Sequence, residues 1–337
     1  MSRRLLLVSI LAVVVAAAVV VAVINPFSSP GHSRGRPAPP VAASPGPARA
    51  PVAPVAPAHG AWFGAAVTPT DYTQLNEINA VNTLQQQLGR RLSIVHTYVK
   101  WQAKFPTTSV LTFLNQGSML LISWAGTDTR EIASGADDAW IRTRALQVKA
   151  LGKPVFLEWR WEMDRPNLQS QVHSGPDYVQ AWDRIRSIFA AAGVHNAAWV
   201  WCPTSAGFAD GRAAAYYPGD DEVDWVCADA YPDYGTYATF ASTVNPFLSW
   251  ASHHDKPVMI GEFGVPVSYG DQQRARWLRA AQKVVLADTQ IKALLYYDSN
   301  PAGQGPKGSY ALGGDAEALA VFRAIARQPY FNPAGAR

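Results

Sequence analysis

The chain has few residues that could bind a metal ion or build a covalent framework. It contains only two cysteines, Cys202 and Cys227, among 337 residues, which excludes a disulfide-rich scaffold and a zinc site built from four cysteines. Its seven histidines show no metal-binding spacing, and the adjacent pair His253 and His254 is expected on the solvent face of a helix. The sequence therefore predicts neither a metal nor a cofactor. The two cysteines could form a disulfide in an exported protein or remain buried thiols.

Charge is also scarce, at 16% of residues with a formal net charge of +4. Part of the positive charge lies in the arginines near the N-terminus, so the balance does not predict nucleic-acid binding. No G-x-G-x-x-G motif follows the first apolar run of the globular region, which argues against a dinucleotide site. The protein is expected to be a monomer.

An apolar run at residues 5–24 follows Arg3 and Arg4. About 20 apolar residues can cross a bilayer as a helix, and the arginines favour a cytoplasmic N-terminus. A cleavable signal peptide is the alternative, although the run is longer than usual and ends in a poor cleavage site. Both interpretations export the rest of the chain. We therefore expect it at the extracellular face of the membrane, attached through the N-terminal segment, or secreted.

Composition divides the chain into three segments. Residues 1–25 form the signal anchor or signal peptide, and residues 26–59 form a linker dominated by Pro, Ala, Ser and Gly. Such a linker cannot bury a core and favours extended polyproline II conformations. Residues 60–333 have a globular composition and the size of one α/β barrel.

The globular segment alternates short apolar runs with longer amphipathic ones. Eight runs are candidate strands: 62–67, 93–100, 118–124, 154–162, 196–202, 223–231, 257–263 and 291–297. The candidate helices between and after them include 137–151, 177–193, 235–254, 271–287 and 314–327. This alternation predicts βα units around a parallel sheet, and eight of them favour a single (β/α)8 TIM barrel.

Two of the eight runs end at or next to a glutamate, Glu162 on the fourth and Glu262 on the seventh. Reactive groups in such barrels lie at the carboxyl ends of the strands. A carboxylate there is costly unless it is paired or used. Glycoside hydrolysis needs one carboxyl to donate a proton and another to attack or stabilise the anomeric carbon. The alternative is a buried ion pair that holds the barrel mouth together.

Alternation along the fourth run places Glu158, Arg160 and Glu162 on one face. Val155, Leu157, Trp159 and Trp161 then share the other face, which is expected to meet the helices. Arg160 could pair with either glutamate as structural support, and it also counts among the expected substrate-binding residues.

Five segments together resemble glycoside hydrolase family 26. They are ISWAG (122–126), WEMD (161–164), NAAWVWCPT (196–204), YYPGDDEVDWVCADAY (216–231) and PVMIGEFG (257–264). The resemblance covers nearly all of 61–330 in the same order. It implies a (β/α)8 barrel and a retaining, double-displacement mechanism.

The resemblance assigns roles to particular residues. Glu162 matches the general acid/base and Glu262 the nucleophile, while Tyr231 matches the tyrosine beside the nucleophile. Trp124 and Trp201 match tryptophans at the ends of strands three and five, where they could contact sugar or fill the core. Trp101, after strand two, is a further candidate sugar platform or a rim-packing residue.

The chain also departs from the β-mannanases of that family. Trp161 stands where they have His and Glu158 where they have Arg, while Asp164 replaces a common Asn. Because an indole satisfies other hydroxyls than an imidazole does, Trp161 is an expected substrate-binding residue. The sequence thus predicts a retaining endo-β-glycanase, with β-1,4-mannan-type substrates first and β-glucan or xylan as further possibilities. The alternative is a carbohydrate-binding protein without hydrolytic activity.

Overall fold

Eight parallel strands close into one barrel in the computed structural model, which describes residues 52–232, 237–299 and 308–333. Each strand pairs with its neighbours in sequence, and the last pairs with the first. The strands are β1 (Trp62–Thr68), β2 (Ile94–Val99), β3 (Met119–Trp124), β4 (Val155–Trp159), β5 (Ala197–Trp201), β6 (Trp225–Ala230), β7 (Val258–Phe263) and β8 (Ile291–Ser299). The (β/α)8 barrel expected from the sequence is confirmed.

Helices surround this barrel. In the described residues they are α1 (Gln74–Leu88), α2 (Thr108–Asn115), α3 (Thr129–Ser134), α4 (Asp138–Ala150), α5 (Gln169–Val172), α6 (Gly175–Ala191), α7 (Ser205–Ala209), α8 (Phe240–Ala251), α9 (Asp271–Ala287) and α10 (Ala316–Ala326). None of these helices is long and apolar enough to cross a membrane. The apolar run at 5–24 lies outside the described residues.

Helix α6 illustrates how the sequence sets the helical layer. Ser174 caps its first turn by accepting from the amide of Asp177, which satisfies one of the free donors at a helix start. Tyr178, Trp182 and Phe189 follow at helical spacing and are buried. Their rings contact one another or the aromatic residues of β4 and β5. The apolar stripe on this helix therefore faces the barrel, as its spacing predicts.

The barrel interior is a separate, smaller core closed at its lower end by aromatic rings. Trp62 stacks on Trp225 with ring centroids 5.8 Å apart, and Phe156 meets Trp225 edge-on at 5.2 Å. We call these three residues the aromatic plug. All three lie in the first two positions of their strands. Since parallel strands share their direction, the plug fills the end opposite the carboxyl ends of the strands.

Two boundaries differ from the expectation. Residues 52–59 fall within the predicted linker, but Ala53 and Ala56 pack against the interior core and Pro54 and Pro57 are buried. Small apolar side chains can cover the barrel end without any helix or strand. Strand β4 ends at Trp159 rather than at position 162.

The shorter β4 ends the predicted alternation. Glu158 faces inward as expected, but Arg160 and Glu162 have left-handed backbone angles, with φ of 54° and 52°. Non-glycine residues are uncommon in this region. Trp161 consequently turns away from the helices and contacts the ring of Tyr98 on β2, with centroids 5.4 Å apart.

Candidate active site

A cavity of about 960 Å³ opens at the carboxyl ends of the strands. Its lining includes both predicted catalytic glutamates, Glu162 and Glu262, together with Trp161 and Tyr231. This volume is at the upper end of the range for small-molecule sites. The structure thus brings together four of the residues that the sequence predicts for the site. Trp161 and Glu162 follow β4, Tyr231 follows β6, and Glu262 lies in β7.

Glu262 reaches the cavity because β7 is irregular. Ala228 of β6 pairs with Ile260, whereas the next residue, Asp229, pairs with Glu262. Gly261 is therefore an extra residue in β7. Ile260 packs in the outer core, so strict alternation would send Glu262 outward as well. The extra residue reverses this and directs the carboxylate into the barrel mouth.

Gly261 also leaves room for its neighbours beneath the carboxylate. A Cβ atom at this position would lie 2.6 Å from Sγ of Cys227 and 3.0 Å from Sγ of Cys202. These two cysteines form a disulfide that joins the residue after β5 to the middle of β6. Of the two states that the sequence left open, the structure contains the disulfide, and its sulfur atoms support the backbone that precedes Glu262.

Two tyrosine hydroxyls donate hydrogen bonds to Glu262. Tyr98 donates to Oε1 and Tyr231 to Oε2, each at 2.5 Å. Burial and the nearby charge of Glu162 raise the pKa of Glu262 to about 7, while the two hydroxyls lower it. Hydrogen bonds to the ionised form are what keep a buried carboxylate charged near neutral pH.

Sequence reasoning identified Tyr231 but missed Tyr98. Tyr98 follows His96 by two positions on β2, so both side chains point into the barrel. An inward-facing position near the carboxyl end of a predicted strand is therefore the sequence signal that could have identified Tyr98. The ring of Tyr98 also packs against Trp161, which links the two glutamates through aromatic contact.

Glu162 lies in a loop three residues beyond the end of β4, and backbone contacts on both sides hold this loop. The amide of Arg160 donates to the carbonyl of Trp124 at 3.0 Å, and that of Glu162 to the carbonyl of Cys202 at 2.8 Å. Asp164 is buried and accepts from the amide of Thr204 at 2.8 Å. The loop is therefore fastened to the ends of β3 and β5.

The carboxylate of Glu162 forms an ion pair with Arg165, with Nη1 and Oε2 at 2.6 Å. Burial raises the pKa of Glu162, and the Arg165 charge opposes that rise. Glu162 in turn raises the pKa of Glu262. Because each ionised carboxylate disfavours ionisation of the other, the pair tends to keep one proton.

Beneath this pair lie two more buried carboxyls. Burial raises the pKa of Glu158 and of Asp229 well above the usual range, and the charge of Glu262 adds to both shifts. Ser123 donates a hydrogen bond to Glu158. His96 lies at 2.6 Å from Ser123, and burial lowers its pKa to about 3. This layer is therefore neutral, in contrast to Glu262, whose carboxylate accepts two tyrosine hydrogen bonds.

The lower layer does not fit a metal ion. Ligand atoms of Glu158, Cys202, Cys227 and Asp229 lie within 4.8 Å of one another. Zinc binds cysteine as a thiolate, and these sulfurs are joined to each other instead. The donor set is thus reduced to two carboxyls that burial keeps protonated.

Three tryptophans expected near substrate lie elsewhere. Trp124 and Trp201 are fully buried, and neither is among the residues that line the cavity. Trp124 stacks on Trp101 with centroids 4.2 Å apart, and Trp201 packs among the rings of Phe208 and Trp250. Both point to the helical layer, so of the two roles that the sequence left open for Trp124 and Trp201 the structure shows core packing. Trp101 belongs to the same packed pair and also does not line the cavity.

Arg160 lies outside this cavity as well. It is buried and absent from the cavity lining, and its Nη2 donates to Gln171 at 2.6 Å. Pairing with Glu158 or Glu162 was also wrong, because the left-handed turn at Arg160 carries its side chain beneath Gly126. There a Cβ atom on Gly126 would lie 2.7 Å from Cδ of Arg160.

Sequence comparisons find partial matches to polysaccharide-degrading enzymes of several names. The chain is 28% identical over 293 residues to endoglucanase H of Acetivibrio thermocellus, covering 81% of this chain and 31% of that protein. It is 30% identical over 199 residues to a β-1,3-xylanase from a Vibrio species, covering 57% and 38%. The chain thus spans about a third of the length of these curated relatives. No family model matches it.

Solved structures share the fold more completely. A family 26 β-mannanase from Bacteroides ovatus superposes with a TM-score of 0.62 at 16% identity, covering 81% of this chain and 90% of the mannanase. The catalytic domain of a family 26 endo-β-1,4-mannanase from Bacillus sp. JAMB-750 gives 0.63 at 16% identity, covering 82% and 89%. The resemblance to glycoside hydrolase family 26 is thereby confirmed at the level of the fold.

Proposed function

We propose that the chain is a retaining endo-β-glycanase that hydrolyses a β-linked polysaccharide by double displacement. Glu162 serves as general acid/base and Glu262 as nucleophile. The observation that supports this most directly is the unequal setting of the two carboxyls in one cavity. Two tyrosines donate to Glu262, whereas burial raises the pKa of Glu162. One group is thus suited to remain charged and the other to hold a proton.

In the first step, an oxygen of Glu262 attacks the anomeric carbon. The bond from that carbon to the leaving sugar breaks, and the proton of Glu162 passes to the leaving oxygen. The hydroxyls of Tyr98 and Tyr231 hold the nucleophile in place before the attack. The neutral layer of Glu158 and Asp229 beneath adds no second negative charge that would repel it.

In the second step, water takes the place of the leaving sugar. Glu162, now a carboxylate, accepts a proton from this water as its oxygen attacks the anomeric carbon. The bond to Glu262 breaks, and the product keeps the original anomeric configuration. The chemistry needs only carboxyls and water, and no cofactor enters the mechanism.

The polymer backbone is the finer part of the proposal. We keep the β-1,4-mannan type as the first candidate, because the solved structures named above are mannanases. Mixed-linkage glucan and β-1,3-xylan come next, since the curated relatives are named an endoglucanase and a xylanase. Trp161 replaces the His of typical mannanases, so glucan and xylan are screened alongside mannan.

The N-terminal segment supports a proposal for where the enzyme is located. We propose that residues 5–24 export the chain and either remain as a membrane anchor or are removed. A tethered monomeric enzyme suits the processing of the producer's own surface polysaccharide, whereas a released one suits the degradation of external polymers.

Activity on a panel of β-glycans tests the proposal. The 52–337 fragment should release reducing ends from at least one polymer, and nuclear magnetic resonance of the first products should show retained anomeric configuration. Glu262→Ala should abolish turnover. Glu162→Ala should lose polymer cleavage yet keep the release of good leaving groups from activated aryl glycosides, since these need no proton.

A carbohydrate-binding protein without hydrolytic activity is the rival function. It would bind oligosaccharides with no reducing-end release over long incubation, and both glutamate variants would then bind and behave like the wild type. Inverted products would leave hydrolysis in place but overturn the double displacement.

A further inference from the structure

Arg165 is paired with the proposed acid before any substrate arrives. Its guanidinium lies 2.6 Å from Oε2 of Glu162, and its side chain is 50% exposed and lines the cavity. This contact favours the ionised form of Glu162. The first chemical step requires the protonated form, so the contact opposes that step and its release on substrate binding would favour it.

Two further cations line the same cavity. Lys100 and Lys104 follow β2 and are exposed. Within the described part of the chain, neither has a hydrogen bond or an ion pair from its ammonium group. Arg165 lies after β4, so the three cations span the mouth above strands β2 to β4.

The acidic residues that line the cavity do not balance these cations at its opening. Glu77 is buried and accepts hydrogen bonds from Tyr72 and Thr97, and burial raises its pKa. Burial likewise raises the pKa of Asp229. Glu162 and Glu262 belong to the proposed reaction. In the described residues, the charges available to a ligand at the cavity mouth are therefore positive.

We infer that the substrate is a β-glycan that bears carboxylates, that is, one containing uronic acid residues, and that Arg165 binds a carboxylate on the leaving-group side. This inference rests on the proposed function. An acid must touch the glycosidic oxygen, so a group 2.6 Å from its carboxylate lies within one sugar of the cleaved bond. A planar guanidinium can exchange one carboxylate partner for another, because both accept the same charge-assisted hydrogen bonds.

This exchange connects recognition to catalysis. When Arg165 transfers from Glu162 to the sugar carboxylate, Glu162 loses the cation that stabilises its ionised form. Its pKa then rises further, and it takes up the proton that the leaving oxygen needs. A neutral polymer offers Arg165 no anion in exchange. Lys100 and Lys104 would hold further carboxylates along the chain.

The test compares one backbone in two charge states. β-Mannan and mixed-linkage β-glucan are each used as the neutral polymer and after partial oxidation of C6 to the carboxylate. Wild-type protein should cleave one oxidised polymer with a kcat/KM at least about tenfold above its neutral parent, as expected for one charge-assisted hydrogen bond. The preference should weaken with added salt.

Variants identify the residues responsible. Arg165→Gln should bring the ratio of the two kcat/KM values close to one, and it should move the alkaline limb of the pH profile on neutral polymer upward. Lys100→Ala/Lys104→Ala should lower the ratio mainly through KM. Arg130→Gln is the matched control, because Arg130 also pairs with a carboxylate, at 3.1 Å from Asp177, but does not line the cavity.

Three outcomes would overturn the inference. Equal cleavage of neutral and oxidised polymer would overturn carboxylate recognition but would leave the hydrolase function intact. An equal loss on both polymers in Arg165→Gln would assign Arg165 a structural role only. A sulfated form of the same backbone cleaved as well as the oxidised form would replace carboxylate recognition by general anion attraction. Absence of cleavage of every polymer would instead contradict the proposed function itself.

Discussion

The hydroxyl of Tyr98 donates a hydrogen bond to Oε1 of Glu262 at 2.5 Å, across the barrel from β2 to β7. Sequence motifs do not mark this tyrosine, yet it contacts the proposed nucleophile at the same distance as Tyr231 does. Each hydroxyl stabilises the negative charge of a buried carboxylate. The state of Glu262 therefore depends on two donors from opposite sides.

Tyr98→Phe should reduce kcat/KM by roughly 10- to 100-fold, the equivalent of one hydrogen bond to a charged group. The hydrogen bond from Tyr98 lowers the pKa of Glu262, which is about 7, so its loss should raise that pKa. Since the nucleophile must be ionised, the acidic limb of the pH profile should move to higher pH. Tyr330→Phe is the control, because within the described residues that hydroxyl bonds the carbonyl of Val285 alone. An unchanged acidic limb in Tyr98→Phe would contradict this role.

Gly261→Ala should impair activity through the disulfide beneath it. The added methyl group would lie 2.6 Å from Sγ of Cys227, so β7 must shift and carry Glu262 with it. We expect a loss of about 1–3 kcal/mol in the free energy of unfolding together with a marked fall in kcat. Gly313→Ala, where the methyl group would meet nothing within 4 Å, should change neither.

A second experiment tests whether the disulfide causes the loss of activity in Gly261→Ala. Replacing both Cys202 and Cys227 by alanine removes the two sulfur atoms and makes room for the methyl group. Activity of Gly261→Ala should therefore recover in part in this background, relative to the same background with Gly261. No recovery would show that the constraint at Gly261 comes from the backbone of β7 and not from the disulfide.

Glu158→Gln should raise thermal stability at high pH but not at low pH. Burial raises the pKa of Glu158 in the folded protein well above its usual value of 4.5. Below pH 4.5 the carboxyl is protonated in both the folded and the unfolded state, so it does not change the free energy of unfolding. Above pH 4.5 it ionises in the unfolded chain alone, so the free energy of unfolding falls until the pH reaches the folded-state pKa.

A glutamine at this position has no proton to lose. The melting temperature of Glu158→Gln should therefore exceed that of the wild type at pH 8, and the gap should close near pH 4. Glu317→Gln, an exposed site on α10, should show no such pH-dependent gap. A constant gap across the pH range would contradict a protonated Glu158.

Arg274→Ala should destabilise the fold by about 3–5 kcal/mol, because it strands a buried charge. Arg274 pairs with Asp315 at 2.7 Å, and both side chains are almost fully buried. The same guanidinium donates to the carbonyls of Val265 and Ala311. It therefore joins α9 to the segments that follow β7 and β8, near the cavity mouth.

The control for Arg274→Ala is Arg184→Ala, which removes a comparable but exposed ion pair. Arg184 and Asp138 lie 2.6 Å apart, with side chains 36% and 45% exposed. Such pairs contribute at most about 1 kcal/mol. Chemical denaturation of both variants should separate the two cases, and equal losses would contradict the importance of burial.

The barrel and its two central glutamates follow from the sequence because their signals are regular. Eight β-branched and aromatic runs, spaced by amphipathic segments, predict strands at close to their true positions. Rules of parallel barrels then place Glu162 and Glu262 at one end. The family resemblance adds Tyr231, and all three line the same cavity.

Other parts of the site depend on breaks in that regularity. The left-handed turn at Arg160 ends β4 early, and no propensity signals φ > 0 for arginine. The extra residue at Gly261 reverses the alternation of β7. The sequence leaves Trp124 and Trp201 between sugar contact and core packing, and their packing against Trp101 and Phe208 shows that they belong to the core.

The aromatic plug makes the cavity a blind one. With Trp62, Phe156 and Trp225 filling the far end of the barrel, a polymer cannot thread through, and both fragments of a cut chain must depart by the opening through which the intact chain came. In the proposed double displacement, the fragment released on the Arg165 side must also clear that opening before the attacking water can reach the sugar bound to Glu262. The first fragment therefore leaves before water enters, because both use the same opening. A long leaving fragment should slow turnover more than a short one.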